Sequence, residues 1–184
     1  MRSITAICAL AAFLAFPAWL HPQTADGGND AQLPRNFRGL SLGMSLDGLR
    51  DALGKDEMFN FRGERDVSLI PIREESLVET TGSSFVRRAF FQLRDGALFI
   101  MSFTLNEELV DHHSMFTRFV ERYGQPSSLN PREAVWEDGS TRISLERPLT
   151  VRYIDLAVFD DIVGESALSN SRKVNDFRDF LDEF

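Results

Sequence analysis

The chain predicts an α+β fold: two helix-plus-antiparallel-strand units form one sheet with helices packed on it, followed by a C-terminal amphipathic helix. Three observations lead there. Asp95-Gly96 and Asp138-Gly139 each separate runs rich in β-branched and aromatic residues, the strongest short-range hairpin signal. A capped stretch with helical periodicity precedes each hairpin. The last residues carry an apolar stripe at helical spacing.

Residues 1–25 place Arg2 ahead of an apolar run from Ile4 towards Leu20 and then turn polar, the build of a secretory signal peptide. Residues 26–34, polar and Gly-rich, suit a flexible linker. A single α+β domain is expected over 35–164. It opens with a helix at 45–53, where Ser45 is a good N-cap, Met44 and Leu49 can staple, and Asp47 lies in the first turn. Weak strand signals follow at 58–61 and 66–72, the second pushed to an edge by Pro71. Residues 85–93 and 98–105 flank the first Asp-Gly turn, and Phe99, Met101, Phe103 and Leu105 alternate onto one face.

The second helix is capped by Asp111, carries Met115, Phe116, Phe119, Val120 and Tyr123 on one face, and stops at Gly124 and Pro126. Strands are then expected at 133–136, 141–146 and 150–159. The two halves share the order helix, then antiparallel strands. That order reads as a tandem repeat, although the identity between halves is too low to prove one. In the terminal helix, 165–184, Val174, Phe177, Leu181 and Phe184 form one stripe.

Composition narrows the function. Cys8 is the only cysteine and lies in the signal, so the mature chain has no thiol for a disulfide, a nucleophile or a metal. Signal removal moves the formal charge from -8 to -9, because it takes Arg2 and no acid. Such a chain is repelled by phosphate, and no nucleic-acid partner is expected. After cleavage no integral membrane segment is expected either, which makes the protein periplasmic or secreted.

Gly39-Leu40-Ser41-Leu42-Gly43 spells the G-x-S-x-G of a hydrolase nucleophile elbow. An elbow needs a buried strand running into the serine and a helix directly after it. Here the approach is polar and the cap falls at Ser45, so the glycines read as loop geometry and no catalytic residue is assigned. Adjacent His112 and His113 point about 100° apart on a helix and cannot chelate one metal as an i, i+4 pair does. Neither metal nor cofactor is expected. Arg87-Arg88 lies within a strand, so one of the two should face inward or along an edge.

Two segments resemble a known family. "GMSLDGLRDALGKD" is similar to the opening of SmpA/OmlA (BamE-like) domains, and "FVERYGQPSSLNPREAVWEDG" is similar to the end of such a helix and its exit to an aromatic strand. The outline of two helix-plus-sheet repeats also resembles β-lactamase-inhibitor-protein-like domains. The resemblance implies a class of small exported domains that bind other proteins through a sheet face or helix edge. Lys55-Asp56 replaces the family's x-Pro, and the lipobox cysteine is absent.

The functional expectation is therefore a non-catalytic protein-binding module of the cell envelope, with envelope proteins as partners, active as a monomer or weak oligomer. Contact residues are expected at Arg87, Arg88 and Trp136 on the exposed side of the sheet, and at Phe177, Leu181 and Phe184 in the tail. Two alternatives stand beside it. One is a metal-dependent or hydrolytic enzyme using His112 or His113. The other is a lipid or small-ligand carrier with Phe99, Met101 and Phe103 lining a cavity.

Overall fold

The structure, a computed structural model, describes residues 32–70 and 75–167. The signal at 1–25, the first part of the linker and the tail residues Phe177, Leu181 and Phe184 lie outside the described residues. A short hairpin, β1 (Asn36–Phe37) and β2 (Leu40–Ser41), leads into α1 (Leu46–Lys55). Strands β3 (Val67–Ile70), β4 (Glu75–Thr81), β5 (Val86–Arg94) and β6 (Ala97–Leu105) complete the first half. The second half holds α2 (His112–Tyr123), β7 (Ser128–Leu129), β8 (Glu133–Glu137), β9 (Thr141–Glu146) and β10 (Thr150–Asp155). Residues 156–167 form α3.

The fold is mixed α+β; among the described residues an eight-stranded sheet in the order β3-β4-β5-β6-β10-β9-β8-β7 stands beside the two-stranded β1-β2. All its pairings are antiparallel. Each half is a four-stranded meander, and the last strands of the two halves, β6 and β10, pair in the centre.

Local chemistry explains the elements. Ser45 caps α1 by accepting from the Gly48 N–H, and Asp111 caps α2 by accepting from the Ser114 N–H, each satisfying an otherwise unpaired first-turn donor. Asp95 (φ 51°) and Gly96 (φ 75°) both take positive φ, as a two-residue turn matched to strand twist requires. Period-two alternation then sends one residue from each of seven strands into a single apolar rung: Val67, Val78, Phe91, Met101, Tyr153, Ile143 and Trp136 are successive cross-strand partners. Leu49 and Leu53 of α1 and Phe119 of α2 pack on this same face. Burying each large side chain such as Phe91 or Phe103 contributes about 2–3 kcal/mol.

Several expectations are corrected. Residues 58–61 form no strand; Phe59 makes only an isolated bridge to Gly82. The strand expected over 150–159 ends at Asp155, where the Leu156 N–H turns to the Ser140 carbonyl and α3 begins. Leu33, assigned to the linker, is buried, and its N–H donates to Asp138 Oδ2 at 2.5 Å. Phe99 leaves the face of Met101 and Phe103. The register passes from Gln92↔Ile100 to Leu93↔Leu98, so Phe99 is an inserted residue and joins Ile100 and Ile154 under α3 on the opposite side. These side chains therefore do not line one cavity.

Candidate functional site

With α1, α2 and the N-terminal hairpin on one face, the opposite face of the sheet is left largely uncovered among the described residues. Its central rung runs Glu79, Phe90, Ser102, Arg152, Ser144, Val135 and Ser128 across the sheet. Among the described residues, α3 covers this face only around Phe99, Ile100 and Ile154, through Val158, Phe159 and Ile162. Glu165 of α3 holds Arg94 of β5 at 2.5 Å.

Charge on the open face is largely paired. Arg88 lies 3.4 Å from Glu79 and 5.8 Å above the Phe90 ring, and Arg152 lies 3.2 Å from Glu146. Arg142 pairs with Glu137 and stands over Phe159. The Arg88–Glu79 pair is exposed on both sides and adds little stability, so Arg88 is free to exchange partners with a docking surface, while the Arg142 and Arg152 pairs are half-buried.

Both arginines expected here are exposed. Neither turns inward, because the register passes from Val86↔Leu105 to Arg88↔Thr104 and makes Arg87 an inserted residue. Val86 and Ala89 thereby both reach the core with two solvent-facing arginines between them. Phe85, 51% exposed, adds an apolar flank to this corner.

Trp136 is corrected. It is 2% exposed on the helix-covered face, met edge-on by Phe119 at 5.4 Å and by the tilted ring of Phe116 at 6.2 Å, with its Nε1–H donated to the Gly124 carbonyl at 2.9 Å. The same turn that stops α2 thus receives the indole donor. Trp136 anchors α2 to β8 and offers no contact surface.

His112 is half-buried at the start of α2, its Nδ1 3.2 Å from the Arg147 guanidinium. Burial, then the Arg147 charge, holds its pKa below the ordinary histidine value, against the opposing pull of Asp111 and Glu107. Its Nε2 is buried with no hydrogen-bond partner among the described residues. His113 is exposed. No three His, Cys, Asp or Glu side chains among the described residues are grouped to hold a metal ion.

Ser41 lies in the two-residue β2, and its N–H points to Met44 Sδ at 3.5 Å. Gly43 takes φ 87° and donates its N–H to Leu98, seating the loop on β6 ahead of the α1 cap. That is loop geometry, and the strand-to-helix elbow is not formed. Among the described residues no helix is long and apolar enough to cross a membrane.

The fold and its surfaces define a small α+β domain with a helix-sealed core and a sheet face left largely uncovered among the described residues. The chain belongs to the TP0088 domain family, whose model matches residues 35–165. That span runs from the arginine that holds Asp155 to the glutamate that holds Arg94. No curated protein and no solved structure matches the chain.

Proposed function

We propose that the protein is an exported, non-catalytic module that binds another protein of the cell envelope, in the service of envelope assembly. The observation that carries this reading is the asymmetry of the sheet: one face is sealed by α1 and α2, while the other presents Phe85, Arg87, Arg88 and Phe90 beside the short cover of α3. Large sheet faces with an aromatic and arginine corner suit protein partners, since those residue types dominate binding energy at interfaces. The signal-like opening and the acidic mature chain support export.

The order of elements supports a further reading, duplication of one helix-plus-meander unit. Helix, four strands, helix and four strands, with the two final strands paired at the centre, is the arrangement that such a duplication produces. Two helix-plus-sheet repeats are also the outline of the β-lactamase-inhibitor-protein-like domains that the chain resembles.

In-cell crosslinking of the full-length protein, followed by mass spectrometry, tests the function. One dominant envelope partner is expected, reduced at least about tenfold by Arg88→Glu with Phe90→Ser, a loss on the scale of one hot-spot pair. Deleting residues 171–184 separates a docking tail from a structural one. A folded domain that has lost its partner assigns the tail to binding, and collapse of the domain assigns it to the core. Absence of any reproducible partner would sink the proposal.

A further inference from the structure

A second feature lies on the other side of the molecule, between the first turn of α2, the strand β7, which ends the sheet among the described residues, and the residues that follow β9. A groove of about 260 Å³ is lined there by His112, His113, Phe116, Leu129, Ala134 and Arg147, among others. Its floor is apolar. Its charged rim is Arg147 with Glu133, and Glu133 Oε1 accepts from Asn130 Nδ2 at 3.4 Å.

Arg147 is exposed, and among the described residues it forms no ion pair. Its guanidinium meets His112 Nδ1 instead. A guanidinium only donates, so Nδ1 accepts, and the imidazole is neutral with its proton on Nε2. The arginine's remaining N–H groups are available to an anion, and a planar carboxylate matches their fork. Glu107, the nearby acid that could have occupied it, is committed to the Leu149 N–H at 3.0 Å.

The edge beside the groove matters as much as its charge. β7 is the terminal strand of the sheet, only two residues long, and both are exposed, Leu129 at 64%. Terminal strands accept an added extended chain.

We propose that this groove is a binding site for the C-terminal residue of an extended polypeptide, its free carboxylate on Arg147 and its apolar last side chain against Phe116 and Leu129. The volume accommodates one side chain of leucine size together with its carboxylate, and the planar fork of Arg147 is what selects a chain end. This site stands apart from the open sheet face, and its test is independent of that reading.

The experiment titrates purified full-length protein with N-acetyl-Ala-Leu and, separately, with its C-terminal amide, followed by NMR of the backbone amides and the histidine imidazoles. Saturable shifts at Leu129 and Ala134 are expected at millimolar acid, with the amide at least about tenfold weaker, the scale of one charge-assisted contact. The bound carboxylate should also raise the His112 pKa, because it sets a negative charge beside an imidazole that now faces a cation. Arg147→Gln should abolish the preference for the acid, and Arg147→Lys should keep part of it while leaving the spectrum of the fold unchanged. Equal binding of acid and amide would overturn the proposal, as would shifts confined to other residues or none at all. Acetate or decanoate binding as tightly as the peptide would show a bare acid or lipid site and overturn the polypeptide assignment.

Discussion

Gly82 shows how closely the residues beneath the open corner are fitted. A Cβ placed there would lie 2.3 Å from the Val86 carbonyl oxygen and 2.7 Å from Val86 Cβ, contacts that backbone cannot relieve cheaply. Its N–H donates to Arg87, and its carbonyl accepts from Asn60. Gly82→Ala is therefore expected to destabilise the domain by about 2–3 kcal/mol, read as a lower urea midpoint at unchanged slope, while Gly39→Ala, with open space around it, should change little. Arg87 and Phe99, in the adjoining hairpin, show where reading by residue pattern stops. A strict two-residue alternation places one arginine inward and Phe99 beside Met101. Each inserted residue shifts that alternation by one, and nothing in "FVRRAF" or "ALFIM" marks which residue will lack a partner. Trp136 lies on the other face from the one expected for another reason: its neighbours in sequence reveal a strand but not which face α2 will cover.

At the scale of elements, the helices were legible because their signals are local. Ser45, Asp111 and Gly124 occupy the cap positions expected of them, and the Asp95-Gly96 turn closes as its dihedrals demand. The start of α3 is not legible in the sequence, which predicts strand up to residue 159. "LAVF" is rich in strand formers, yet Val158, Phe159 and Ile162 fall at helical spacing and pack on Phe99, Ile100 and Ile154, so tertiary burial overrides a weak propensity. Strand β4 carries no clear sequence signal, because Glu75, Glu79 and the threonines around them dilute its apolar pattern. The α3 contact is small and lies on the otherwise open face, so it should detach before the sheet unfolds. Ile162→Asn is expected to lower α3 protection in hydrogen exchange by about 1–2 kcal/mol and leave β5 and β6 at wild-type protection. Equal loss across the sheet would mean that α3 belongs to the global cooperative unit.

Across the whole molecule, residues 33–44 act as a strap between the two halves. Leu33 and Arg35 hold Asp138, Ser140, Thr141 and Asp155 of the second half, while Gly43 and Met44 bond to Leu98 of the first. Asp138 is the hub. Burial pushes its carboxyl up, but the N–H groups of Ser140, Leu33 and Thr141 together outweigh this and hold the pKa below the ordinary aspartate value. The folded pKa is depressed, so the contribution is present above the unfolded value of 3.8 and is lost as pH falls through the folded one. Asp138→Ala should cost about 1–2 kcal/mol at neutral pH, discounted for partial exposure. The gap to wild type should close as pH drops below 3.8, a trend that thermal denaturation at stepped pH will reveal.

The central pairing of β6 with β10 is where the two meanders meet, and the chain between them, residues 106–149, carries α2 and the other three strands of the second half. Any event that parts this seam exposes one strand margin on each half, and each margin is complementary to its counterpart on every other copy of the chain. Two molecules that open together can therefore close on each other, rebuilding the same ladder with halves exchanged. The intertwined dimer would have the monomer's internal contacts, so dilution alone would return it slowly. Concentration during refolding, rather than the final buffer, would decide how much of it forms.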